Sequence, residues 1–171
     1  MPNQTSDMKY LQSCFLGVVV AFSFYSYSVL AGARAGDQTQ LGPHSAQKFA
    51  LAKHVGGLRE AAGSSLYSAN TVAIVLTVEQ KMNGNKQEIT ASAAAHKDGP
   101  TGALVGVDGL TVHVTQPANF GTQPQSNMAE AHITNTVPAP GGKYRTVVAE
   151  ARLNSPKYDN CVVSLTIPGD K

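Results

Sequence analysis

The stretch TVAIVLTVEQKMNGNKQEITASAAAH (Thr71–His96) decides the fold, because its second half is compatible with two different structures. Its first twelve residues, TVAIVLTVEQKM, are rich in β-branched side chains, and Asn83-Gly84 follows them. An Asn-Gly step after such a run is a strong β-hairpin signal. We therefore predict a strand from Thr71, a turn at Asn83-Gly84 and a returning strand in KQEITASAAAH.

The returning segment also has features of a helix. Asn85 followed by Glu88 is the spacing of a helix cap, and a run of alanines favours a helix. The alternation of side chains favours a strand instead, because apolar and mostly polar residues take turns along the segment, as in a half-buried strand. The apolar positions are Ile89, Ala91, Ala93 and Ala95, and the positions between them are Thr90, Ser92, Ala94 and His96. A strand here predicts an all-β fold, whereas a helix at 85–97 predicts an α+β fold.

The rest of the chain after this stretch alternates in the same way. Apolar side chains recur at every second position in four further segments, LTVHVTQP, MAEAHITNTV, KYRTVVAEARL and CVVSLTIP, with turn-forming residues between them. Alternation of this kind indicates an antiparallel sheet with one face on a core, and regularly spaced short strands are typical of a sandwich. We predict a mainly β protein, an antiparallel β-sandwich of about seven short strands, with residues 71–171 as the β-rich domain.

The segment before it, residues 36–70, has a different spacing. Ser45 is a suitable helix cap, and apolar residues follow it at helical intervals. Gly56-Gly57 interrupts this pattern, because glycine destabilises a helix. The apolar residues are Phe49, Ala52, Val55, Leu58 and Ala62. We predict a short N-terminal helix in this segment, with two short turns as the alternative.

The N-terminus has the pattern of an export signal. Lys9 precedes a charge-free run from Tyr10 to Ala33, and the run ends in Ala33-Arg34-Ala35, with small residues at the two positions that a signal peptidase reads. We predict a signal peptide at 1–35 with cleavage after Ala35, translation from Met8 being an alternative start. The rival interpretation is an uncleaved membrane anchor, since a run of this length spans a bilayer. Cleavage predicts a periplasmic or secreted, extracellular protein.

The segment PGGKYRTVVAEARL (Pro140–Leu153) resembles a late strand of bacterial immunoglobulin-like or fibronectin-III-like domains, in which a Gly-x-Tyr turn leads into an alternating strand. The resemblance implies a fold and no activity. The chain departs from antibody-type domains, since it has no tryptophan, no cysteine pair in the mature part and no tyrosine two residues before Cys161.

Charge and cysteine content limit the classes of partner. The formal net charge is +2 and no basic residues cluster, which argues against nucleic acid and, once the leader is removed, against a membrane surface. Cleavage leaves Cys161 as the lone thiol. It is expected either to be a buried small apolar residue or to form an intermolecular disulfide, which would make a homodimer.

Three histidines, His96, His113 and His132, fall on the outward side of their predicted strands. If those strands were neighbours, three imidazoles would be enough to hold zinc or copper. The simpler interpretation is that alternation places polar side chains outward, and no H-E-x-x-H motif is present.

No pattern in the sequence points to catalysis, since there is no G-x-S-x-G motif. The sequence therefore favours a noncatalytic binding or assembly domain whose partner is another protein or a cell-surface component, with loops such as Asn119–Asn127 in contact. A periplasmic metal-binding protein is the first alternative. A small secreted hydrolase or inhibitor, with a site assembled from distant residues, is the second.

Overall fold

The computed structural model describes residues 34–55, 71–118, 120–125 and 128–171, which form two packed antiparallel sheets. The strands in this part of the chain are β1 (Gln38–Gly42), β2 (Ser45–Lys53), β3 (Thr71–Asn83), β4 (Lys86–Lys97), β5 (Leu110–Gln116), β6 (Gly121–Gln125), β7 (Glu130–Pro138), β8 (Val147–Leu153) and β9 (Cys161–Ile167). One sheet has the order β1-β2-β3-β4-β7 and the other the order β6-β5-β8-β9. The prediction of an antiparallel β-sandwich is confirmed, with nine strands in place of about seven.

The central hairpin forms where the sequence predicts it, and the helix alternative at 85–97 is wrong. β3 and β4 pair along their whole length, from Val72 opposite Lys97 to Asn83 opposite Lys86. The turn residues are Gly84 and Asn85, one position later than the Asn-Gly step, and Gly84 has a φ of 59° that favours glycine. Tertiary burial overrides the helix propensity of the alanines, since every second one lies in the core.

The N-terminal segment contributes strands to the same sheet. Residues Ser45–Lys53 form β2, so the helix predicted from Ser45 is wrong over this range. Pairing with β3, which extends from Ser45 opposite Glu79 to Lys53 opposite Thr71, satisfies its backbone groups. The later part of the predicted helix lies in 56–70, outside the described residues, as does most of the predicted leader, at 1–33.

The core lies between the two sheets and is built from the inward positions of the alternating strands. The buried residues include Val72, Ile74, Leu76, Val78, Ile89, Ala91, Ala93, Ala95, Leu110, Val112, Val114, Val147, Ala149, Ala151, Leu153, Val163, Leu165 and Ile167. Small alanines on β4 therefore lie across the core from larger aliphatic side chains on β5, and those on β8 lie across from larger side chains on β3. The segment expected to be a loop, Asn119–Asn127, instead contains β6, while Asn119, Ser126 and Asn127 are not described.

One side of the sandwich is closed by backbone contacts between the two sheets. Asp159 N donates to Lys53 O at 2.8 Å, and Val55 N donates to Lys157 O at 2.9 Å. Gln38 Nε2 donates to Thr166 O at 3.1 Å and covers part of the free edge of β9. These contacts occupy strand edges that would otherwise accept a strand from another chain.

Candidate functional site

The three histidines singled out in the sequence do not come together. His132 is exposed on the outer face of the five-stranded sheet, opposite Ser92. His113 lies on the outer face of the other sheet, opposite Glu150. The whole core separates these two faces. Within the described residues no group of three or more metal-ligating side chains is present.

His96 lies on the outer side of β4 and is nevertheless buried. The turn after β4 folds over it, and Leu104 lies opposite it in an isolated bridge. His96 Nδ1 is 2.8 Å from Gly102 O. Because a carbonyl oxygen only accepts, Nδ1 donates this hydrogen bond. His96 therefore fastens the turn at residues 98–104 to the sheet.

Cys161 begins β9 and faces the core with 6% of its surface exposed. Burial raises the pKa of its thiol, so the nucleophilic thiolate is disfavoured. This environment fits a small apolar core residue, and an intermolecular disulfide would require β9 to open first.

The predicted cleavage site lies at the start of the described chain. Ala33 is outside it, whereas Ala35 is exposed in a turn that the bond from Asp37 N to Arg34 O closes at 3.0 Å. The next residue, Gly36, donates its backbone N–H to Phe49 O at 2.8 Å, so β-pairing begins one residue after the predicted cut.

The outer face of the four-stranded sheet is polar, as expected of the hydrated face of a sandwich. Glu150 pairs with Arg152 on the same strand. The side chains on this face are Thr111, His113, Thr115, Val148, Glu150, Arg152, Val162, Ser164 and Thr166.

The outer face of the five-stranded sheet is apolar at one end. Two neighbouring rows of side chains cross it: Leu51, Ala73, His96 and Leu104 in one, and Phe49, Val75 and Ala94 in the other. We call this surface, defined by those seven residues, the apolar face. The second row continues onto β7 with the exposed, charged Glu130. The next row along the strands is polar and consists of Gln47, Thr77, Ser92 and His132.

The apolar face has an exposed margin. Leu51 is 48% exposed and Leu104 is 47% exposed, and Val55 and Met128 lie beyond them on the continuations of β2 and β7. We call these four residues the rim. Among the described residues only one other large apolar side chain is comparably exposed, Val162 on the opposite sheet. Exposed apolar groups are therefore concentrated at one end of one sheet.

The sequence carries a signal for this face that the strand prediction did not use. Val72–Leu76 is apolar at every position, without alternation. A continuous apolar run is typical of a strand that is covered on both faces. The rim itself was not predictable, because Leu104 and Met128 reach it through turns whose path depends on strand order.

The edge strand β7 is poorly suited to pairing with another chain over its last residues. Asn135 Oδ1 accepts the hydrogen bond of Thr136 N at 2.8 Å, and Pro138 has no N–H to donate. Together with the partly covered edge of β9, this limits strand pairing with another chain along β7 and β9.

No protein-family model, curated protein or solved structure matches this chain. The resemblance of Pro140–Leu153 to immunoglobulin-like and fibronectin-III-like domains therefore stays a prediction. Within the described residues no helix is both long enough and apolar enough to span a bilayer.

Proposed function

We propose that this chain is an exported, noncatalytic binding or assembly domain of the periplasm or cell surface, and that the rim is its contact surface for another protein. The supporting observation is the contrast between the two outer faces. One is polar apart from Val148 and Val162, whereas the other carries the exposed Leu51 and Leu104 at one end. Val55 and Met128, also exposed, lie where β2 and β7 continue beyond that end.

A clustered apolar surface of this kind favours protein contact for a physical reason. Isolated apolar side chains are normal on a protein surface. Apolar side chains that cluster, in contrast, present a continuous apolar area that is buried when a partner protein covers it. Burying such area contributes about 25 cal/mol per Å². The polar row through Gln47 and His132 borders the apolar face, as polar residues border the core of many interfaces.

Export is the other half of the proposal and rests on the leader pattern that ends at Ala33-Arg34-Ala35. A cut after Ala35 leaves the described sandwich intact, since β1 begins at Gln38. An apolar rim on an exported domain is then available to envelope or extracellular proteins.

Site-specific photo-cross-linking in the protein expressed with its own leader tests this function. A photo-reactive phenylalanine replaces Leu51 or Leu104 in two rim variants, and Val162 in the matched control. We expect both rim positions to give an adduct of the same mass, and the control to give none. The double variant Leu51→Ser/Leu104→Ser, with the cross-linker at Met128, should lose that adduct.

Two results would contradict the proposal. Equal adducts from the rim and from Val162 would show nonspecific contact, and the absence of adducts at both rim positions would show that the rim has no partner. Intact mass of the purified protein checks export separately, since a chain beginning at Gly36 is expected.

A further inference from the structure

The turn of the hairpin formed by β3 and β4 is exposed at the end of the sandwich away from the rim. Asn83 is the last residue of β3 and Gly84 follows it in the turn, and both are exposed to solvent. Gly84 has no side chain, and a Cβ built on it would meet no heavy atom within 4 Å. The space around the peptide bond between these two residues is therefore open.

Two groups of this turn that can react with each other are free of competing hydrogen bonds. Among the described residues, neither the side-chain amide of Asn83 nor the backbone N–H of Gly84 has a hydrogen-bond partner. Asn83 lies opposite Lys86 in the last pair of the hairpin. Pairs at the end of a ladder open locally at low cost, so the main chain of Asn83 can rotate without unfolding of the sheet.

We propose that Asn83 is a site of spontaneous deamidation in the folded protein. The backbone nitrogen of Gly84 attacks Cγ of the Asn83 side chain, a C–N bond forms, and the amide nitrogen leaves with the Gly84 proton as ammonia. Water then opens the cyclic imide, so the net reaction converts an amide and water into a carboxylic acid and ammonia. Water is the only co-reactant of this modification.

Other asparagines of the chain lack this combination of features, since glycine follows no other asparagine in the sequence. Asn85 is exposed in the same turn, but the next residue is Lys86, which carries a side chain and belongs to β4. Asn135 Oδ1 accepts the hydrogen bond of Thr136 N at 2.8 Å, and this bond engages the nitrogen that would have to attack. Asn85 is therefore the matched internal reference for Asn83.

The two products of the reaction affect the hairpin differently. Opening one side of the imide gives aspartate, whose carboxylate lies opposite the ammonium group of Lys86 and forms a favourable cross-strand pair. Opening the other side gives isoaspartate, which adds a methylene group to the main chain of β3, so that the pair with Lys86 no longer closes in register. The turn also holds the segment after β7, because Ala139 N donates to Asn85 O at 2.8 Å. Isoaspartate at position 83 should therefore weaken this contact as well.

Peptide mapping by mass spectrometry tests this proposal in the purified protein expressed with its own leader. Folded protein is incubated at mildly alkaline pH in water enriched in heavy oxygen, so that each deamidation places a solvent oxygen in the new carboxyl group. We expect conversion at Asn83 to be at least about tenfold faster than at Asn85, a difference of at least about 1.4 kcal/mol in barrier. Both aspartate and isoaspartate are expected in the peptide that contains Asn83.

The two matched variants are Asn83→Gln and Asn85→Gln. Each keeps an exposed amide in the hairpin, but the longer glutamine side chain would have to close a larger, more slowly formed ring. Asn83→Gln should remove the fast modification from this peptide, whereas Asn85→Gln should leave the rate at Asn83 unchanged. Both changes are exposed, so we expect both variants to keep the urea midpoint of the wild type.

Two outcomes would overturn the proposal. One is heavy oxygen entering position 83 no faster than position 85. The other is modification of Asn83 in the urea-unfolded chain but not in the folded chain, which would show that hairpin pairing prevents the reaction. The turn lies at the opposite end of the sandwich from the rim, so this inference and the proposed function can each fail without the other.

Discussion

The side-chain amide of Gln87 bonds both backbone groups of Arg145, as a neighbouring strand would. Arg145 N donates to Gln87 Oε1 at 2.8 Å, and Gln87 Nε2 donates to Arg145 O at 3.2 Å. Gln87 Nε2 also donates to Gln80 Oε1 on β3. Both glutamines are buried at the end of the sandwich away from the rim. The segment that leads into β8 is therefore fixed to the hairpin of β3 and β4.

Gln87→Met should lower the free energy of unfolding by about 2 kcal/mol, because it leaves the buried Gln80 side chain and the part-buried backbone groups of Arg145 without these partners. Urea unfolding measures the change. Glu88→Gln, an exposed change on the same strand, should alter stability by less than about 0.5 kcal/mol. Equal urea midpoints for Gln87→Met and the wild type would show that the amide does not fix this segment.

Gly102→Ala should destabilise the turn that covers His96. A Cβ at Gly102 would overlap the carbonyl oxygen of Lys97, so the backbone of the turn has to move and its bond to His96 Nδ1 is strained. Overpacking of this kind typically costs about 1–3 kcal/mol, and we expect about 2 kcal/mol by urea unfolding.

The matched control for this change is Gly42→Ala. A Cβ added at Gly42 would meet no heavy atom within 4 Å, and the residue has no left-handed φ. Its replacement should leave stability unchanged or raise it slightly, since alanine restricts the unfolded chain. If both variants lose the same stability, the cost comes from losing glycine and not from the contact with Lys97.

The strands β5, β7, β8 and β9 were predictable because each has one apolar and one polar side, whereas β6 was expected to be a loop. The inward residues of β8, from Val147 to Leu153, alternate without interruption, and all of them are buried. The sandwich follows from such alternation, since each strand has only one face to bury.

The strand β2 was not predictable in the same way, because it has apolar side chains on both faces. Ala46 and Ala52 face the core, whereas Phe49 faces the opposite side, so its spacing matches a helix as well as a strand. The order of the strands in the two sheets could not be predicted from the sequence either. His113 and His132 are far apart because their strands, β5 and β7, belong to different sheets.

Removal of either outer histidine should leave zinc affinity unchanged. His113 and His132 lie on opposite outer faces, so one ion cannot contact both within a protomer. Isothermal titration of zinc into the chain beginning at Gly36 compares the wild type with His113→Ala and His132→Ala. A weakening of tenfold or more, about 1.4 kcal/mol, in both variants would contradict this geometry and favour a site shared between chains.

The buried thiol of Cys161 should make stability fall at alkaline pH. Burial raises its pKa above the ordinary value of 9.0, so the unfolded chain releases this proton at a lower pH than the folded chain. The stabilisation that the folded chain gains from this buried thiol is complete below pH 9.0, and it is lost as the pH rises from there to the pKa of Cys161 in the folded chain. The slope of this loss is at most about 1.4 kcal/mol per pH unit.

Urea unfolding between about pH 8 and pH 11, under reductant, measures this effect against the variant Cys161→Ala, which lacks the titrating group. All other groups titrate alike in the two proteins, so the difference in stability isolates the thiol. We expect the variant to be less stable near neutral pH, because it loses a buried side chain, and the two stability curves to converge as the pH rises. Parallel curves would show that the Cys161 thiol ionises equally easily in the folded and unfolded chain.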